Sequence, residues 1–126
     1  MRWSLACLLI AASGCGLISS SDCTTELRPA IRLVIVDAKT GRNPTIGPAI
    51  TVREGAFVVE VYPSAGSPSF VSDEYQFASE RPGRYSIDVQ TPGYQAWSKA
   101  NIVVSSDGCD HVKTATLTAK LVPLNP

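Results

Sequence analysis

The chain has 126 residues, room for one domain and too few for two comfortable ones. Its 11 Lys and Arg balance its 11 Asp and Glu, and neither sign clusters, which excludes the electrostatic footprint of a nucleic-acid-binding face. Nine Gly and nine Pro at short intervals suit many short strands joined by turns and disfavour long helices.

Residues 1–14 read as a signal peptide and are set aside from the fold. Arg2 gives a positive start, and residues 5–12 form an apolar run of eight, far short of the about 20 residues a membrane-crossing helix needs. Ala12-Ser13-Gly14-Cys15 then resembles the lipobox of bacterial lipoproteins, with Ala12 where that pattern usually has Leu. The resemblance implies cleavage before Cys15, a lipid on its sulfur, and membrane attachment at the cell envelope. Gly16, rather than Asp, follows the anchor, which resembles the outer-membrane-sorted class if the source is Gram-negative. The alternative is an ordinary signal peptide with a free Cys beside it. Residues 15–25 read as the anchor and a short tether, and 26–126 as the folded domain.

Cys7 falls in the discarded segment, which leaves Cys23 before the first strand and Cys109 before the last. An exported protein meets an oxidising compartment, where a disulfide forms and persists. A bridge between these two would close 87 residues, and chain entropy assigns such a loop roughly 4–5 kcal/mol. Two unpaired thiols, or a metal pair completed by His111, are the other readings.

Residues 30–36 are strand chemistry: Ile31, Leu33, Val34, Ile35 and Val36 suit a pleated surface. Asp37, which can bond its own backbone two residues on, and Gly41, which accepts positive φ, make the turn. A loop of Gly and Pro follows. Ile50 and Val52 alternate with Thr51 and Arg53; beyond Glu54-Gly55, Phe57, Val59 and Val61 alternate with Val58, Glu60 and Tyr62, a hairpin signal. Residues 63–69 form the loosest loop. A fourth strand is expected over 70–77, with Tyr75 and Phe77 on one face, and a turn over 80–83. Tyr85, Ile87 and Val89 alternate strictly with Ser86, Asp88 and Gln90. Residues 95–104 hold Trp97 and Ile102-Val103-Val104. The closing strand is expected over 109–122, with Ala115, Leu117, Ala119 and Leu121 on one face. Seven strand segments at this spacing predict an all-β Greek-key sandwich.

Three pieces in order resemble the carboxypeptidase regulatory-like domain of the transthyretin-like (prealbumin-like) superfamily. They are Val36-Asp37-Ala38-Lys39-Thr40-Gly41 with Pro44, Ala49 and Val52; Gly83-Arg84-Tyr85-Ser86-Ile87-Asp88-Val89 with Pro92-Gly93-Tyr94; and Asp107-Gly108-Cys109-Asp110-His111-Val112 with Thr114, Leu117, Leu121 and Pro123. In the third, Asp110 separates Cys109 from His111, a small shift from the pattern. The resemblance spans about residues 23–123 and implies a sandwich of seven or so strands with Cys23 bridged to Cys109. Each Gly is expected where the chain turns with positive φ, and Tyr85 and Tyr94 are expected to pack over the sandwich edge with their hydroxyls held by backbone.

No catalytic residue, metal or cofactor is expected. His111 is the only His and has no Cys or Ser nucleophile at useful spacing, so a structural role is expected for it. The superfamily contains an enzyme, the hydroxyisourate hydrolase, but its His/Arg constellation and C-terminal Tyr-Arg-Gly-Ser have no counterpart beside this single His and Leu124-Asn125-Pro126. Asp73-Glu74 and Asp107 with Asp110 offer too few ligands for Ca²⁺ and read as solvated turn acids. Phe70, Tyr75, Phe77 and Trp97, with Tyr94 nearby, are the candidate binding surface, though sandwich aromatics are more often core. The expected function is a non-enzymatic envelope lipoprotein that binds a protein or glycan partner through the 63–72 loop and neighbouring turns. The alternative is a purely structural or stress-related lipoprotein with no dedicated ligand.

Overall fold

The computed structural model describes residues 23–62 and 72–125. Cys15, Phe70 and all of the 63–72 loop except Ser72 lie outside the described residues. The seven strands are β1 (Pro29–Asp37), β2 (Ala49–Glu54), β3 (Phe57–Val61), β4 (Tyr75–Ser79), β5 (Gly83–Gln90), β6 (Trp97–Val104) and β7 (Ala115–Leu121). They form the expected all-β sandwich, a three-stranded sheet β4-β1-β7 facing a four-stranded sheet β3-β2-β5-β6. Only β2–β3 and β5–β6 are sequential neighbours. Elsewhere the chain passes from one layer to the other, as Greek-key sandwiches do.

β1 is the middle strand of its sheet, antiparallel to β4 and parallel to β7. Its alternation sends Ile31, Leu33 and Ile35 into the core at 1% exposure or less, each worth about 1.5–3 kcal/mol of apolar burial. They meet Ile50 and Val52 of β2, Tyr85, Ile87 and Val89 of β5, Ile102 and Val104 of β6, and Ala119 and Leu121 of β7. On β6 the partners of Tyr85 and Ile87 are Ile102 and Lys99, so an extra residue is accommodated there, and Asn101 takes φ 57°. Such a bulge, with Lys99 in register on the core-facing row, blunts an edge strand against pairing with another chain.

The expected turn after β1 forms: Asp37 Oδ1 accepts from the N–H groups of Lys39 (2.7 Å) and Thr40 (3.1 Å). Two strands depart from the sequence expectation by more than two residues. β4 starts at Tyr75, because Ser72 Oγ donates to the Glu74 carbonyl in a local turn, and it runs on to Ser79, which pairs with Pro29. β7 starts at Ala115, because residues 105–113 form a bracket held by Asp107.

Gly83 opens β5 at φ 153°, and a Cβ there would lie 2.6 Å from the Glu54 side chain. Glu54 is already engaged, accepting from Arg81 Nε at 2.9 Å, while the Arg81 guanidinium lies 4.3 Å from the Phe57 ring centroid. Gly83→Ala is expected to cost about 1–3 kcal/mol through backbone strain and displacement of Glu54. Urea denaturation of the variant against the parent measures it.

Candidate functional site

β1 and β7 run in the same direction, so the sandwich has two distinct ends. The end where they begin holds residues 23–28, the turn after β4 and the 105–113 bracket. The end where they finish holds the Asp37 turn, residues 91–96 and the last residues of the chain.

At the first end, Cys23 and Cys109 are joined in a disulfide with Cα atoms 5.3 Å apart. Beside it, His111 is 9% exposed. Its Nδ1 lies 2.8 Å from Glu80 Oε1 and its Nε2 lies 2.5 Å from the Thr24 carbonyl oxygen. Two acceptors around one ring are satisfied together only by the imidazolium, which donates from both nitrogens. The Glu80 carboxylate also accepts from the N–H of Arg28 (2.6 Å) and of Val112 (3.1 Å). Asp107 accepts from the N–H of Cys109 (2.8 Å) and of His111 (3.0 Å) and pairs with Arg28 at 3.1 Å. This corrects the reading of Asp107 as a solvated turn acid: it is a half-buried bracket for the segment around the disulfide. Glu80 and Asp110 both hold left-handed backbone, φ 53° and 61°.

The charges shift accordingly. Hydrogen bonding to Glu80, then to the Thr24 carbonyl, raises the His111 pKa above its ordinary 6.5 against the pull of burial. Burial pushes the Glu80 carboxyl up, but the bonds from His111, Arg28 and Val112 together outweigh it and bring it below 4.5. The Cys109 N–H leads in holding Asp107 below 3.8. With both ring nitrogens committed to protein acceptors, His111 has none left to take a proton from a substrate. The arrangement is a clasp.

At the opposite end, Tyr94 Oη donates to Asp37 Oδ2 at 2.8 Å. The Tyr85 hydroxyl does meet backbone, donating to the Arg81 carbonyl at 2.5 Å. For Tyr94 the expected backbone partner is instead a carboxylate, which ties the β1 turn to residues 91–96. That hydroxyl is the leading cause of a lowered Asp37 pKa, and the same bond raises the pKa of Tyr94. The C-terminal residues lie across this turn, with the Leu124 N–H donating to the Gly93 carbonyl at 2.9 Å and the Gln95 N–H to the Val122 carbonyl at 2.8 Å. Between them opens a cleft of about 450 Å³ lined by Ala49, Gln90, Thr91, Tyr94, Ala96 and Leu124 among others, with no charged side chain in its lining. Thr91 continues the inward row of β5, and its Oγ1 is the buried side-chain polar atom that lacks a hydrogen-bond partner among the described residues.

Among the described residues, the expected aromatic surface is not assembled as one platform. Phe77 is core, at 6% exposure, and Tyr75 and Trp97 are partly buried against that core. Tyr75 sits on β4 and Trp97 on β6, strands at the edges of different sheets. Among the described residues no three His, Cys, Asp or Glu side chains are grouped to hold a metal ion.

The chain is similar to two solved Bacteroides structures. One is a candidate carbohydrate-binding protein of Bacteroides uniformis, 18% identical, TM-score 0.48, with 76% of this chain and 43% of that one covered. The other is a candidate membrane-associated protein of unknown function from Bacteroides fragilis, 21% identical, TM-score 0.41, with 76% and 28% covered. This chain therefore spans less than half the length of either, and identities this low assign it neither ligand nor location. No family model matches the chain, and no curated protein matches it in sequence.

The clasp fixes the pH dependence of stability. A raised His111 pKa contributes stability that is complete below 6.5 and is lost as pH rises through the folded-state value. Lowered Glu80 and Asp107 contribute stability that is present above 4.5 and 3.8 and is lost as pH falls through their folded-state values. From these groups the urea midpoint is expected to be highest between pH 4.5 and 6.5. His111→Gln is expected to flatten the alkaline limb and to shrink the acid limb as well, because the Glu80 carboxyl loses the His111 bond that helps lower it; an unchanged alkaline limb would contradict the assignment.

Proposed function

We propose that the chain is a non-catalytic binding or accessory module of the bacterial cell envelope, held by a lipid on Cys15 and presenting the uncharged cleft to a neutral partner. The single supporting observation is the placement of that cleft at the end of the sandwich opposite residues 23–28. A body tethered through its N-terminus and clasped there turns its other end outward. An uncharged lining disfavours ionic ligands, because a charge brought into it would be desolvated without a partner. The partner class is an envelope glycan or a protein surface with an apolar, uncharged projection. In this reading the sandwich is of the carboxypeptidase regulatory-like kind, and the anchor is in the outer membrane if the cell is Gram-negative.

Two measurements test it. Labelling with a clickable palmitate analogue is expected to mark the parent and to leave Cys15→Ser unmarked; equal labelling removes the anchor. Crosslinking of the intact lipoprotein in its envelope is expected to give a defined adduct that Ala96→Arg, a charge placed in the cleft wall, reduces at least tenfold. An adduct pattern indifferent to that substitution would move the contact away from the cleft.

A further inference from the structure

Residues 23–28 form a strap that lies on the domain before β1 begins. Cys23 is held by the disulfide, Thr24 by the His111 ring, and Arg28 by Glu80 and Asp107. The first two holds are chemically independent. One is a covalent bond that only a reductant opens. The other is a hydrogen bond that exists only while the imidazole Nε2 carries a proton. Both act on the strap's first two residues and fasten it to the same bracket, at Cys109 and His111. We propose that the strap is closed by a two-component latch, the Cys23–Cys109 bridge and the His111 imidazolium, either of which keeps it shut and whose joint loss frees it.

The proton-dependent component faces Glu80 from the turn after β4, Arg28 from the strap and Asp107 from its own bracket. When the ring loses a proton it keeps one N–H and gains one lone pair. The anionic Glu80 is the stronger acceptor and retains the N–H on Nδ1. The Nε2 lone pair then meets the oxygen lone pairs of Thr24, and the contact turns repulsive. The covalent component opens by exchange with a dithiol: the S–S bond breaks, Cys23 and Cys109 each take up one electron and one proton, and the dithiol becomes a disulfide. A free strap adds the five residues 23–27 to the segment that precedes β1, Arg28 staying held by Glu80 and Asp107, a reach of about 17 Å. The latch thus sets the length of the tether, and it stands whether or not the cleft binds a partner.

The test is backbone ¹⁵N relaxation at Thr24, Thr25, Glu26 and Leu27 in the full-length chain. Oxidised parent protein is expected to show a rigid strap at pH 6 and at pH 9. C23S/C109S is expected to be rigid at pH 6 and to fall to order parameters below about 0.6 at pH 9, and adding H111Q is expected to leave the strap mobile at both. A strap in C23S/C109S that is equally ordered, or equally mobile, at the two pH values overturns the proposal. Should that variant fail to fold, ¹⁵N shifts of the His111 ring in the oxidised parent decide: both nitrogens protonated at pH 7 supports the latch, and a neutral single tautomer at pH 7 overturns it.

Discussion

The parallel pairing of β1 with β7 is the constraint on which the other features depend. Seven register pairs, from Ile31 with Ala115 to Asp37 with Leu121, join the first strand of the domain to its last. A parallel pair cannot be closed by a local turn, so the intervening chain must leave the sheet and return. It does so by building the second sheet and contributing β4 on the far side of β1. Because both strands start at the same end, the segments that precede them must also meet there. Cys23 and Cys109 are brought together for that reason despite a sequence separation of 86.

The two ends of the sandwich solve different problems. Where β1 and β7 begin, two irregular segments carry backbone N–H groups that no strand satisfies. Half-buried carboxylates take that role: Glu80 receives two backbone N–H groups and Asp107 receives two more. Carboxylates drawn this far inward require countercharge, and His111 and Arg28 supply it. The cost appears as left-handed backbone at Ala78, Glu80 and Asp110. Non-Gly residues hold such angles only where surrounding contacts over-determine them. At the other end one charged pairing, Asp37 with Tyr94, sits behind a cleft that is otherwise neutral.

Local patterns in the sequence carried most of the fold. Strict alternation from Tyr85 to Val89 marks β5 to within two residues, because one face of that strand is buried and the other is not. The Asp37 turn was equally legible, being a bond within three residues. What escaped was non-local. The fourth strand reads as ending at Phe77, yet Ser79 is strand because Pro29 lies opposite. His111 reads as a lone histidine because its partners, Glu80 and Thr24, are 31 and 87 residues away. The bonds from Cys109 and His111 to Asp107 are local, but its pairing with Arg28, 79 residues away, draws it inward and has no local signature. The cleft was equally hidden: Ala49, Thr91 and Leu124 belong to three separate segments, and none carries a chemical signature by itself. The aromatic residues were legible as strand residues and became wall or core according to which sheet received them.

Cross-strand proton contacts test the central pairing most directly. Parallel β1–β7 register requires close approach between the backbone protons of Val34 and Thr118 and between those of Leu33 and Leu117, together with the slowest amide exchange of its sheet in β1, which among the described residues is the only strand of that sheet paired on both sides. That pattern in a nuclear Overhauser spectrum is the expected result. Contacts that run antiparallel between these strands, or β1 amides exchanging as fast as those of edge strand β6, would contradict the account.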